Sequence, residues 1–230
     1  MLDFHNHIIP AVDDGSTDSE TSIALIKGLN DLGFTDFVFT PHIISDTHPN
    51  TKETISNGFE VLNSAFKNNN MNIPCSFAAE YMLDDMFHQK LRNKEPLLKL
   101  RNNKILVEFS YIQRPDYVEH LSFDMQIQGY EPILAHPERY IYYHNNWESN
   151  YGHLKDLGFE LQLNLLSLTP YYGKEIQKIA QKMLKAEMFD FACTDIHHFR
   201  HLEALNTFFT KNSLAELFQQ YKLRNNELQA

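Results

Sequence analysis

Short runs of apolar, β-branched and aromatic residues recur along the chain at 2–4, 37–40, 75–79, 104–109, 131–135, 159–164 and 189–193. Their length and composition predict strands. Between most of them the apolar period lengthens. Ile23, Ile26, Leu29 and Leu32 recur at helical intervals, Thr17 and Glu20 before them have capping-box spacing, and Gly33 supplies a stop. Stretches 51–68, 116–129, 147–157, 174–187 and 200–222 also read as helical, the last broken near Asn212. Strands alternating with helices predict an α/β fold, a parallel sheet closed into a TIM-like barrel. No internal repeat, low-complexity tract or linker interrupts the order, so residues 1–230 are expected to form a single domain.

The polar residues that end the runs carry the chemistry. In such barrels active sites lie at the C-terminal ends of the strands. The seven runs end beside His5, His42, Glu80, Glu108, His136, Asn164 and Asp195. His5-x-His7 puts two imidazoles on one face of an extended segment, and Asp195-x-His197 repeats the spacing. His5, His7, His42, Glu80, Glu108, His136, Asp195 and His197 are therefore candidate metal ligands. Nitrogen and oxygen donors without cysteine suit Mn, Fe, Zn or Co. The set exceeds the needs of one ion, so two or three divalent ions are expected. Multinuclear sites of this kind serve hydrolysis, above all of phosphate esters.

Composition narrows the partners. A formal net charge of -10 argues against a nucleic-acid footprint. The apolar runs are too short to span a bilayer, and the N-terminus lacks the charged and apolar regions of a signal peptide. Cys75 and Cys193 form no motif and read as reduced thiols of a cytoplasmic protein. Cys193 precedes Arg200 by seven positions, one more than a cysteine phosphatase uses, with no glycine-rich cradle and with Asp195 opposing a thiolate.

The segments Asp3-Phe-His-Asn-His-Ile-Ile-Pro-Ala-Val-Asp-Asp-Gly15, Thr40-Pro-His42, Ala79-Glu80, Glu108-Phe109, Leu134-Ala-His-Pro-Glu-Arg139 and Thr194-Asp-Ile-His197 resemble, in order, the PHP (polymerase and histidinol phosphatase) superfamily. Within it they are most similar to bacterial protein-tyrosine phosphatases linked to capsule and exopolysaccharide synthesis. The resemblance implies a distorted (β/α)7 barrel and a trinuclear centre, Mn foremost, held by the eight candidate ligands. It implies that Asp14 is functional, as outer ligand or proton donor. It also implies a second phosphate-binding arginine after Asp-x-His; Arg200 is that candidate or a surface charge at a helix start. Arg139, covalently close to His136, is expected to hold phosphate oxygens bidentately rather than to pair with Glu138.

The expected reaction is attack of a metal-bridging hydroxide on phosphotyrosine. The substrate implied by the resemblance is a phosphotyrosine protein, the tyrosine-rich tail of a bacterial membrane-associated tyrosine kinase. The oligomeric state stays open. Alternatives are a small-molecule phosphatase such as one for histidinol phosphate, a polymerase-associated nuclease, and a non-catalytic metal-binding interaction domain. His48, His88, His120, His144 and His153 read as surface or structural residues, with His198 and His201 near enough to support the site. Trp147, Tyr140, Tyr142, Tyr143, Tyr111 and Phe109 read as packing or as an aromatic wall at the entrance. Gln162 and Asn164 read as polar contacts within the barrel.

Overall fold

A computed structural model describes residues 1–229. Among the described residues nine strands, all in parallel pairings, form two sheets. The first sheet orders β1 (Leu2–Asp3), β2 (Asp36–Phe39) and β4 (Cys75–Phe77). The second runs β3 (His42–Ile43), β5 (Glu80–Met82), β6 (Lys104–Glu108), β7 (Glu131–Ala135), β8 (Glu160–Asn164) and β9 (Phe191–Cys193).

Two of the expected strands are followed by short strands that were not expected. The run 37–40 corresponds to β2; the chain breaks at Thr40-Pro41, where proline cannot donate to a ladder, and resumes as β3. The run 75–79 corresponds to β4, and after the break at Ala78-Ala79 the chain resumes as β5. The ladder carries across both breaks: Ala78 N–H donates to Phe39 O (2.9 Å) and Glu80 N–H to Pro41 O (3.1 Å). Beyond β1 and β9 the chain pairs again. Asn6 bridges Ile196 in parallel, His7 N–H donates to Ile196 O (2.9 Å), and Asp195 N–H donates to His5 O (2.8 Å).

Helices α1 (Ser19–Leu32), α2 (Lys52–Asn68), α4 (Val118–Ile127), α5 (Trp147–Asp156) and α6 (Lys174–Lys185) fall where the periodicity places them. The last helical stretch divides into α7 (Phe199–Phe209) and α8 (Leu214–Gln220), with the break at Asn212 as expected. Helix α3 (Asp85–Arg92) was not anticipated; Asp84 caps it, accepting from Phe87 N–H, and Phe87 and Leu91 bury its short apolar face. The cap of α1 is Asp18, accepting from Thr21 N–H at 2.8 Å, rather than Thr17. A capping box does occur, at Thr51 and Thr54 of α2.

Alternation along the strands feeds two apolar clusters. Ile105, Val107, Leu134, Leu161 and Leu163 pack toward the helices. Val38, Leu106, Ile133, Ala135 and Phe191 join Leu2 and Phe4 in an inner cluster that Leu228 completes. Strands buried on both faces read as continuous apolar runs, and that is how they appear in the sequence. Beside Leu228, Asn225 is buried, donating to Leu2 O (3.0 Å) and Ala192 O (2.7 Å) and accepting from Ala192 N–H (3.1 Å). The C-terminal tail therefore binds β1 and β9, at the opposite end from the histidines. Among the described residues no helix is long and apolar enough to cross a membrane.

Candidate metal centre

Strand ends deliver the candidate ligands to one place. His5 and His7 follow β1, Glu108 closes β6, His136 follows β7, and Asp195 and His197 follow β9. The breaks at Pro41 and Ala78-Ala79 set His42 and Glu80 at the starts of β3 and β5, directly opposite in register. His136 and Asp195 leave their strands with φ of 36° and 50°. The left-handed region costs a non-glycine residue of order 1 kcal/mol or more, and such strain clusters at functional sites.

The side chains converge closely. His5 Nε2 lies 3.2 Å from both Glu80 Oε1 and Asp195 Oδ1. His7 Nε2 lies 3.4 Å from Glu80 Oε2 and 3.3 Å from Asp195 Oδ1. His42 Nδ1 lies 3.0 Å from Glu80 Oε2 and 3.1 Å from Glu108 Oε1. Yet His5 Nε2, His7 Nε2, His42 Nδ1, Glu80 Oε2, Glu108 Oε1 and Asp195 Oδ1 are all buried without a hydrogen-bond partner. Atoms this near that fail the angular test for hydrogen bonding have lone pairs aimed past one another. Each buried polar atom left unpaired costs about 1–3 kcal/mol, so six together call for a ligand. Divalent cations fit: donor atoms lie within 4.8 Å of one another in the groups His5–His7–Glu80, His5–His136–Asp195, His42–Glu80–Glu108 and His7–Asp14–His42–His197.

The local field favours cations. Burial alone would lower the His5 pKa, but Glu80 and Asp195 outweigh it and raise it to about 10. Burial and Arg139 lower that of His136, and burial and His7 lower that of His197 to about 4, which leaves both imidazoles neutral donors.

A surrounding layer fixes the rings. Asp13 accepts from His7 Nδ1 (2.8 Å), His42 N–H (3.0 Å) and Gly15 N–H (3.1 Å). Gln162 Oε1 accepts from His5 Nδ1 (2.7 Å), and Asp195 O accepts from His197 Nδ1 (2.9 Å). With Nδ1 engaged by these acceptors, each of the three rings turns Nε2 toward the cluster, the nitrogen that would serve as ligand once a cation displaces its proton. Gly15 is dictated by contact: a Cβ there would sit 2.0 Å from His7 O. Asn164 donates to Asp195 Oδ2 at 2.8 Å. Gln162 and Asn164 thus contact candidate ligands instead of merely filling the interior.

Above the cluster lies a cavity of about 570 Å³ lined by His42, Glu108, His136, Asp195, His197, Asp14 and Arg139. Arg139 Nη1 donates to Asp195 Oδ2 (2.9 Å), and its guanidinium lies between the rings of Tyr111 (4.7 Å) and Tyr172 (4.3 Å). Glu138 is its chain neighbour but is buried, accepting from Asn164 N–H at 3.1 Å. Asp14 Oδ1 stands 3.5 Å from His197 Nε2, 3.7 Å from His42 Nε2 and 3.9 Å from His48 Nε2.

Other expectations shift. The aromatic wall comes from Tyr111, Tyr171 and Tyr172; Tyr140 and Tyr143 are buried in the core. His48, read as a surface residue, lines the cavity with His198 and His201. Arg200 does not line it; it is exposed and lines a neighbouring cavity on α7. Cys193 is fully buried, and burial pushes its thiol well up, away from nucleophilic use. Asp13, Tyr171 and Tyr172 escaped sequence reading. The doubled Asp13-Asp14 before Gly15 was the available signal for the first, and nothing local marks the tyrosines.

Residues 1–205 match the family described as capsular polysaccharide synthesis, CpsB/CapC. The tyrosine-protein phosphatase YwqE of Bacillus subtilis (strain 168) is 30% identical over 199 residues, 86% of this chain and 78% of its own. The tyrosine-protein phosphatase CpsB of Streptococcus pneumoniae is 27% identical over 205 residues, 86% of this chain and 83% of its own. A crystal structure from work on YwqE and CpsB, described as unique metal-dependent tyrosine phosphatases, superimposes with a TM-score of 0.84 at 27% identity, over 99% of this chain and 94% of its own. The phosphotriesterase homology protein of Escherichia coli, solved with phosphate in its active site, shares the fold at a TM-score of 0.53 and 11% identity, over 95% of this chain and 91% of its own. The strand-end histidines, the aspartate loop and these matches lead to one conclusion: the chain belongs to the CpsB/CapC family of capsular polysaccharide synthesis.

Proposed function

We propose that this protein is a metal-dependent protein-tyrosine phosphatase acting in capsule or exopolysaccharide synthesis. The observation that carries the reading is the cluster of six buried, unpartnered donor atoms beneath a cavity that holds an arginine between two tyrosines. His5, His7, His42, Glu80, Glu108, His136, Asp195 and His197 would hold two or three divalent ions, Mn foremost, and Asp14 would join His7, His42 and His197 as an outer ligand. When bound, such ions polarise phosphoryl oxygens and acidify a coordinated water.

The remaining work falls to this chain's own residues. Asp13 and Gln162 keep the Nδ1 protons of His7 and His5, so ligand geometry is preset. Arg139 takes the equatorial oxygens of the transferred phosphoryl group, its plane fixed by Tyr111 and Tyr172. The rims of Tyr111 and Tyr171 are exposed and receive the phenol ring of the substrate. A tyrosine leaving group has a pKa of about 10, so little protonation is needed on departure. Arg200 lines the adjacent cavity rather than the one that holds Arg139, so the phosphate is assigned to Arg139 alone.

The two sheets, bridged at Asn6 and Ile196, are read as one distorted (β/α)7 barrel, and residues 1–230 as one domain. The physiological substrate is read as the phosphorylated tail of a bacterial tyrosine kinase, met in the cytoplasm. The test is metal-loaded protein given a phosphotyrosine peptide, a phosphoserine peptide and histidinol phosphate. Preference for phosphotyrosine supports the reading. Preference for histidinol phosphate would reassign the enzyme to small molecules.

A further inference from the structure

Next to the metal cavity lies a second cavity of about 610 Å³, between α6, α7 and the turn at Leu168. Tyr171 lines both, so the two adjoin at that ring. Leu168, Ala204 and Phe208 give the second an apolar base, and Arg200 and Lys211 line it as cations. Among the described residues neither cation has a carboxylate within ion-pair distance, although Glu203 shares their face. Positions 200, 204, 208 and 211 fall on one side of α7 and its C-terminal turn, at helical spacing. Arg200 stands three residues from His197, beside the metal cavity, and Lys211 marks the far end. Eleven residues of helical rise separate the two cations by about 16 Å. An extended peptide covers that in about five residues.

We propose that this groove is the track for polypeptide flanking the phosphotyrosine, and that it selects acidic residues at the two ends of that flank. The proposal rests on the phosphatase reading. A carboxylate adjoining the phosphotyrosine meets Arg200. A second, about five residues out, meets Lys211. Between them Glu203 repels acid, while Leu168, Ala204 and Phe208 accept an apolar side chain. On a chain of formal charge -10, two unpaired cations beside the active site supply the complementarity that an acidic segment needs. Charges at an open rim act on association rather than on the chemical step, so the signature belongs in KM.

The experiment uses the metal-loaded full chain with three probes. These are phenyl phosphate, a phosphotyrosine peptide with glutamates at the first and fifth flanking positions, and the same peptide with glutamines there; each peptide is made with the flank on either side. Wild type is expected to show a KM about fivefold lower for the acidic peptide in one flank direction. Arg200→Glu and Lys211→Glu are each expected to erase that preference, with kcat and phenyl phosphate turnover unchanged; Arg200→Gln and Lys211→Gln fall between. Equal KM for acidic and neutral peptides in both directions, with phenyl phosphate turned over normally, overturns the groove alone. Loss of phenyl phosphate turnover in Arg200→Glu also overturns it, since Arg200 then acts on the transferred phosphate. Failure of wild type on all three probes overturns the phosphatase reading and the groove's role with it.

Discussion

Asp13 shows how much of the site depends on residues that touch no substrate. One buried carboxylate ties the His7 ring, the His42 backbone and the Gly15 turn together. Asp13→Ala is expected to lower metal affinity by about 10- to 100-fold, read by ion titration of the stripped protein, because the His7 proton loses its acceptor. Arg139 offers the complementary case. Lysine keeps the charge but neither the fork nor the planar stacking between Tyr111 and Tyr172. Arg139→Lys is expected to reduce kcat/KM for a phosphotyrosine peptide by about 10- to 100-fold while bound-ion content stays at the wild-type value. A loss of ions in that variant would show that Arg139 acts mainly through Asp195. The eight candidate ligands were legible in the sequence because each ends or follows an apolar run, and strand ends gather at one place in a parallel fold. Asp13, Tyr171 and Tyr172 were not, because their roles depend on how separate loops meet in space. Arg200 stayed open between two roles for the same reason: closeness in sequence to His197 does not fix which side of α7 it faces.

At the scale of elements, strand positions came through because strands covered on both faces carry unbroken apolar runs. The short strands that follow two of them did not. The chain breaks at Pro41 and at the Ala78-Ala79 pair, and those breaks bring His42 opposite Glu80. Helix α3 was missed because eight residues carry barely two helical turns of pattern, and only Leu83 separates its cap Asp84 from β5. The loop between β1 and α1 is the element where sequence and site meet most tightly. Its Gly15 packs its α-carbon against His7. Gly15→Ala is expected to destabilise the fold by about 1–3 kcal/mol, since the opposing atom is backbone and cannot rotate away. Urea unfolding measures it, and an unchanged midpoint would mean that the loop has room to shift.

Across the whole molecule, the two ends of the sheets have separate tasks. One end gathers the metal donors, and the other is closed by the C-terminal tail through Asn225. Asn225→Ala leaves a buried N–H and two buried carbonyl oxygens without this partner. It is expected to cost about 2–4 kcal/mol in unfolding free energy while metal content and kcat at moderate temperature persist. Loss of activity in folded Asn225→Ala would mean that the two ends are coupled.

The buried donor cluster is expected to bind the ions on which turnover depends. Mn is added back to chelator-stripped protein while phosphate release from a phosphotyrosine peptide and bound Mn per chain are followed together. No turnover is expected at zero ions, recovery is expected to saturate at two or three per chain, and His136→Ala is expected to reach neither that binding nor that recovery. Full turnover by protein shown to be free of metal, or full recovery in His136→Ala, would contradict that dependence.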